Sequence, residues 1–260
     1  MFRGSLIRSG NNAKTIKGDG EYETAIMYLA PFNLSGTNTC AMAEKAGCVA
    51  GCLNTAGRGR MSNVQIARIN KTKRWTSNRA QFMVDLVDDL ERFVRYCAKR
   101  GVKPAVRLNG TSDIQWEVGH LAMRVVDGAP VVFDSIFHAF PEVQFYDYTK
   151  IAKRVRRQLP ANYRLVLSYS MANVDYAESI LATANETGAN VAVVFATKAE
   201  RDALMGRVYT IAASWNGTFV NREVIDGDSD DMRFLDPKGV FVGLYAKGAA
   251  KRDTSGFVLR

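Results

Sequence analysis

The sequence predicts an α/β fold: a single domain over residues 1–260, built as a partial or complete (β/α) barrel with mostly parallel strands. Two observations carry this prediction. Short apolar runs alternate with segments of helical periodicity along most of the chain, and strands separated by helices pair in parallel. Each apolar run also finishes in small polar or ionisable residues, which places a site at the C-terminal ends of the strands. With 260 residues, 47% of them hydrophobic and 23% charged, the chain has a globular composition and the length for a sizeable core.

The elements follow in order. Residues 1–20 read as a polar, Gly-rich extension, 21–215 as the βα repeats and 216–260 as C-terminal strands. ETAIMYLAPFNLSG reads as a buried strand running into a loop at Asn33, Ser35, Gly36 and Asn38, so the cysteines that follow stand at a strand's C-terminal end. From Asn78 to Arg100, Phe82, Leu86, Leu90, Phe93 and Cys97 recur at steps of three and four, an amphipathic helix that Gly101 stops. VKPAVRLNGTSDI is a second strand ending in a polar turn, with a helix expected around Trp116 to Met123. FPEVQFYDYTK, YRLVLSYS and NVAVVFATK are three more strands, with helices at KIAKRVRRQL, VDYAESILATANETG and KAERDALMG. FVNREVID and GVFVGLYAK follow as strands flanking an acidic, proline-containing loop.

The formal charge of +9 predicts attraction to a polyanionic partner, a nucleic acid or a phosphorylated substrate. Basic residues concentrate at Arg58, Arg60, Arg68, Lys71, Lys73, Arg74 and Arg79, and again at Lys150, Lys153, Arg154, Arg156 and Arg157. Solvated helix faces account for the same residues equally well. No apolar leader and no run of eighteen apolar residues occurs, so neither a membrane partner nor secretion is expected, and the cytoplasm is the expected compartment. Four cysteines, three of them clustered, point to thiolate chemistry in a reducing environment and not to a disulfide scaffold.

The strongest local signal is TCAMAEKAGCVAGCLNTAGRGR, which spaces Cys40, Cys48 and Cys52 as C-x7-C-x3-C before a Gly-rich, basic loop. Three soft thiolates close together are a metal-ligand pattern. Four would close a structural zinc or an iron–sulfur cluster, whereas three leave one position open to water, substrate or cofactor. Buried small hydrophobes are the bland alternative, and a closed zinc site with Cys97 or His120 as fourth ligand is another.

A second candidate is the turn in RLNGTSDI, where Asn109, Gly110, Ser112 and Asp113 stand at a strand rim; an ordinary turn with a helix cap reads the same residues. In FYDYTK, Tyr146, Tyr148 and Lys150 share one face, and the next strand ends in Ser168 and Ser170, a pattern expected where two successive strands line one pocket and equally where a strand is half-exposed. DGDSDD offers Asp231 and Pro237 where a calcium loop needs Gly and Glu, which excludes that reading. A P-loop, a G-x-S-x-G elbow, an H-E-x-x-H pair and a complete dinucleotide fingerprint are all missing.

The blocks ending GCLNTAGRGR, then VRLNGTSDI, FYDYTK, VAVVF, DGDSDDMRFLDP and AKGAAKRDTSGFV resemble, in order along nearly the whole chain, the phage and plasmid family labelled gene-product-eighty-eight-like. That resemblance implies a phage or mobile-element source and hence the host cytoplasm. More distantly the layout is similar to the radical S-adenosylmethionine (SAM) superfamily: a three-cysteine loop after the first strand, a Gly-and-carboxylate turn after the second, and later strands lining a barrel. The likeness implies that Cys40, Cys48 and Cys52 ligate a [4Fe-4S] cluster whose open iron takes SAM, with Asn109, Gly110 and Asp113 at the SAM amino end. It further implies an electron donor and a 5′-deoxyadenosyl radical that removes a substrate hydrogen. The sequence departs from the superfamily's C-x3-C-x2-C spacing at both intervals and has Gly51 where an aromatic residue is usual. The alternative is a phage accessory nucleic-acid-binding protein with a structural Zn site and no catalysis.

Overall fold

The structure, a computed structural model, describes residues 1–10, 20–215 and 217–260. In chain order the elements are β1 (Ile7–Ser9), β2 (Tyr22–Met27), α1 (Ser62–Ser77), α2 (Arg79–Arg100), β3 (Lys103–Arg107), β4 (Ala122–Val126), β5 (Ala129–Phe133), α3 (Ile136–Ala139), β6 (Gln144–Thr149), β7 (Tyr163–Ser168), α4 (Val174–Thr187), β8 (Val191–Phe195), α5 (Lys198–Ala203), β9 (Val208–Ala212), β10 (Phe219–Asp226) and β11 (Phe241–Tyr245). Nine strands make one sheet in the order β1-β2-β3-β6-β7-β8-β11-β10-β9; β4 and β5 form a separate hairpin.

From β2 to β10 every neighbouring pair in the sheet is parallel, and antiparallel β1 and β9 form the two edges. Progress from β2 through β3, β6, β7 and β8 is always in one direction, so right-handed crossovers all fall on one face. The side chains agree. Val106, Leu108, Phe145 and Leu165 pack with Phe82, Leu86, Leu90 and Phe93 of α2, while Leu167, Val191 and Val193 pack with Tyr176, Ile180 and Leu181 of α4. Strand alternation sends the intervening residues, among them Tyr148, Val166, Ala192, Val242 and Leu244, to the opposite face.

The step from β10 to β11 runs backwards, because β11 inserts between β8 and β10. A right-handed crossover there must pass over the face the helices leave bare. Residues 227–240 do so: Asp231 meets Arg107 on β3 (3.1 Å) and the Tyr146 hydroxyl on β6 (3.2 Å), and the Phe234 ring lies 4.9 Å from Tyr22 on β2. This strap spans the sheet like a lid over a trough.

Several expectations are corrected. The strands form an open, mostly parallel sheet, and β1 and β9 do not pair with each other among the described residues, so a complete barrel is not formed. No helix follows Trp116; the chain turns and enters the β4–β5 hairpin, whose Asp127 and Gly128 both take positive φ (50° and 82°) as a tight two-residue turn requires. KIAKRVRRQL yields only a 3-10 turn at Ala152–Arg154, because Arg154 is drawn into buried ion pairs instead of lying on a solvated helix face. The expected polar extension over residues 1–20 contributes β1 and buries Phe2, Leu6 and Ile7, while residues 11–19 lie outside the described part. Among the described residues no helix is long and apolar enough to cross a membrane.

Candidate functional site

The C-terminal ends of the parallel strands open into a cavity of about 280 Å³. Its walls bring together ten residues singled out from the sequence: Cys40, Cys48, Cys52, Asn109, Gly110, Ser112, Asp113, Tyr148, Lys150 and Ser168. These come from four separate segments, and parallel pairing of β2, β3, β6 and β7 puts the ends of all four at one rim.

The cysteine loop follows β2. Residues 40–48 coil through backbone bonds from Ala43 to Cys40, from Ala46 to Met42 and from Cys48 to Ala43. Ser170 donates to Ala46 O (2.7 Å) and Ser255 to Gly47 O (3.0 Å), pinning the loop to the end of β7 and to the C-terminal tail. Ser170, expected to bind a cofactor, thus lies behind the cavity wall as a brace. Gly47 has φ +61° and a Cβ there would stand 2.6 Å from Ala172, so this close approach requires glycine. Cys40 Sγ lies 3.7 Å from Thr111 O, and Cys52 Sγ accepts from Asn54 N (3.5 Å).

The Asn109–Asp113 turn is knitted to itself and its surroundings. Asn109 accepts from Ser112 Oγ (2.9 Å), Ile114 N (3.0 Å) and Trp116 Nε1 (3.2 Å), and donates to Ile114 O and Asp147. Gly110 is needed where the turn crosses β2, since a Cβ would stand 2.6 Å from the Tyr28 ring. Asp113 accepts from Lys150 N (2.8 Å) and pairs with Arg154 Nη1 (2.6 Å). These side chains therefore shape the rim, and the turn lines the cavity as a rigid, internally bonded wall.

Two side chains, Tyr148 on β6 and Lys150 just after it, keep unused donors inside. The Tyr148 hydroxyl is buried without a hydrogen-bond partner, its ring stacked 4.6 Å under the Arg107 guanidinium, and burial drives its pKa above the ordinary tyrosine value. Lys150 Nζ makes no ion pair among the described residues and lies 6.0 Å from the Phe257 ring. Burial opposes its charge, but Cys48, Asp113, Cys40 and Cys52 around it outweigh that and raise its pKa. Burial likewise raises the Cys40 and Cys52 thiols and outweighs the nearby Lys150 cation, which keeps both protonated until a metal favours the thiolate.

Sequence reasoning missed Arg107, Tyr169, Asp228, Asp231, Tyr245 and Phe257, which complete the walls. Arg107 ends β3, and strand parity alone puts it on the face of Tyr148. Tyr169 directly follows β7 and Tyr245 ends β11, while Asp228, Asp231 and Phe257 come from the strap and tail, whose path depends on crossover handedness.

Neither proposed fourth ligand reaches the loop. Cys97 lies on the buried face of α2 in the same core as Phe2 and Phe93, and its thiol is pushed up to about 12 by burial. His120 is stacked between Trp75 (4.9 Å) and Trp116 (5.2 Å). Among the described residues no three His, Cys, Asp or Glu side chains stand close enough to hold a single metal ion. The donor set that remains is three thiols from one loop around a shared cavity, beside one half-buried ammonium. It fits a group that binds three soft ligands and leaves a fourth position facing inward.

No curated protein and no solved structure matches the chain. The family model described as gene product 88 matches residues 5–260. The chain belongs to the gene product 88 family.

Proposed function

We propose that this chain is an iron–sulfur enzyme of radical-SAM type, with Cys40, Cys48 and Cys52 holding a [4Fe-4S] cluster and the cavity receiving SAM and substrate. One observation carries the reading: three thiols from a single loop line the same strand-end cavity as the Asn109–Asp113 turn, Tyr148, Lys150 and Ser168. Three thiols on one loop match the soft-ligand count of a cluster that keeps one iron open to a further ligand. When bound, the cluster supplies one-electron reduction of SAM, and hence the 5′-deoxyadenosyl radical, with electrons from a separate donor protein.

The chain's own residues bind, orient and shield. Lys150 places a positive charge beside the thiolates and favours their ionised form. The Asn109–Asp113 turn offers backbone groups held rigid by its internal bonds, and Tyr148 offers a hydroxyl donor from the floor. Val194, Leu244 and Ala192 keep the deeper wall apolar, which limits water around a reactive species. The working compartment in this reading is the host cytoplasm.

The test is anaerobic purification with metal analysis and a visible spectrum, comparing the parent with a Cys40→Ser, Cys48→Ser, Cys52→Ser variant. About four irons per chain and a broad brown absorption, both lost in the variant, are expected. Reductive SAM cleavage by the parent alone completes the case. One zinc per chain, or no metal in either protein, sinks it.

A further inference from the structure

Residues 45–84 contain eight Lys and Arg and no acid, and residues 237–252 contain four Lys and Arg and no acid. The fold packs these two segments against each other at the cavity mouth. Ala249 N donates to Thr55 Oγ1 (3.3 Å), a Cβ on Gly248 would stand 3.0 Å from Ala56, and one on Gly51 would stand 3.3 Å from Ala250. Gly51, Cys52, Leu53, Ala250 and Phe257 all line the cavity. Two short 3-10 turns, Gly57–Arg60 and Gly248–Arg252, thus carry their cations to one rim.

Many of the chain's other cations are engaged. Arg68 reaches Asn54 and Tyr28, Lys71 reaches Leu6 O, Arg74 pairs with Asp85, and Arg156 pairs with Glu186. By contrast Arg58, Arg60, Lys251 and Arg252 are exposed and form no ion pair among the described residues. Four solvated cations without a balancing acid, on two adjoining turns, make an outward positive stripe and not a pocket for one phosphate. Phe257 and Tyr245 stand half-buried just inside, where a flat ring can stack.

We infer that the rim binds single-stranded nucleic acid: phosphates lie along Arg58, Arg60, Lys251 and Arg252, and one unstacked base enters the cavity beside Phe257 and Tyr245. A duplex presents no free base to a recess, whereas a single strand does so at little cost. The inference rests on the iron–sulfur reading for its chemistry, but the binding stands without it.

The experiment is fluorescence anisotropy with a labelled single-stranded oligonucleotide, its duplex and a free nucleotide competitor, titrated across salt. Affinity of the parent for the single strand should fall about fifty-fold between about 50 and about 200 mM salt if the four cations each neutralise one phosphate. A variant with Arg58→Ala, Arg60→Ala, Lys251→Ala and Arg252→Ala should lose that salt dependence and at least about ten-fold in affinity. A charge-matched control, Arg95→Ala, Lys99→Ala, Arg100→Ala and Lys103→Ala at the far end of the sheet, should bind as the parent does. The triple cysteine variant should also keep its binding, which separates failure of the cluster from failure of the rim. Equal losses in both quadruple variants, no binding by the parent at low salt, or displacement by free nucleotide at equal affinity would overturn the inference.

Discussion

Arg154 is the residue whose loss the structure makes most costly. Its side chain is 0% exposed and pairs with Asp113 at 2.6 Å and with Glu117 at 2.8 Å, carboxylates that are themselves 7% and 5% exposed. It also donates to the Tyr163 hydroxyl at 2.8 Å. In Arg154→Met the methylenes remain but two buried carboxylates lose their cation, and the nearest substitute, Arg157, is 38% exposed and 3.7 Å from Glu117. Stranding buried charge in this way costs about 3–5 kcal/mol, far above the 0–1 kcal/mol of a surface pair. In a chain of this size that lowers the melting temperature by roughly 10 °C. Asp113 N also donates to Thr39 O (2.8 Å), so the same change loosens the backbone next to Cys40. Urea unfolding at pH 7.5 measures the effect, and a second variant tests its cause. If uncompensated charge is responsible, Asp113→Asn, Glu117→Gln, Arg154→Met together should recover most of the stability. A loss under about 1 kcal/mol in the single variant, or a triple variant no better than the single, would refute the reasoning.

Three further outcomes are expected. Burial between two indoles holds His120 at about 4, below its ordinary value, so the neutral ring contributes stability that is complete above pH 6.5 and lost as pH falls toward 4. Unfolding free energy should drop about 1–2 kcal/mol more between pH 7.5 and 5 in the parent than in His120→Phe, and equal drops would contradict the assignment. Gly110→Ala places a Cβ 2.6 Å from the Tyr28 ring and 2.7 Å from Met27 O, and should destabilise by about 1–3 kcal/mol; a neutral change in urea unfolding would show that β2 and β3 yield more easily than their contact implies. Phe234→Ala removes the edge-on contact with Tyr22 and the tilted one with Tyr146 at 5.5 Å, so trypsin should cut faster at Arg233 and Lys238, and an unchanged digestion rate would mean that the Asp231 contacts alone hold the strap.

Legibility in the sequence followed the physics of each segment. The apolar stripe of α2 and the short runs of β2, β3, β6, β7, β8, β10 and β11 were visible because burial on a single side, or on both, leaves a period. α1 was not, since its inward positions are Arg68, Thr72 and Trp75, and a helix whose buried face is polar has no apolar signature. The hairpin was missed although Asp127-Gly128 announces it, because Met123, Val125 and Val132 are exposed and imitate a buried run. At the site, the cysteines and the strand-end turns were legible as residue types, and their convergence followed from parallel pairing. Whether a given side chain was free was not legible. Asp113 looked like a ligand group until Arg154, 41 positions later in sequence, claimed it, and Lys150 makes no ion pair among the described residues because the acid beside it is already held by that arginine.

The cavity itself is a consequence of one reversal in strand order. If β11 had continued outward past β8 with β10 inside it, every crossover would lie on the helical face and the opposite face of the sheet would be an open, hydrophobic trough. Because β10 precedes β11 in the chain and β11 lies between β8 and β10, handedness throws residues 227–240 across that trough. An acidic strap is then tolerable only if the floor is basic where it lands. Arg107 meets Asp231, and Arg233 carries its own partners, Asp230 at 2.8 Å and Asp236 at 3.2 Å. The charges of DGDSDD, which resembled a cation loop in isolation, are thus the complement of a basic residue on β3 and of Lys247 on the tail, which meets Asp228 at 2.5 Å. With its acids turned inward to hold the strap, this side of the mouth shows solvent chiefly its cations, and the stripe at Arg58, Arg60, Lys251 and Arg252 remains uncompensated where a polyanion would approach.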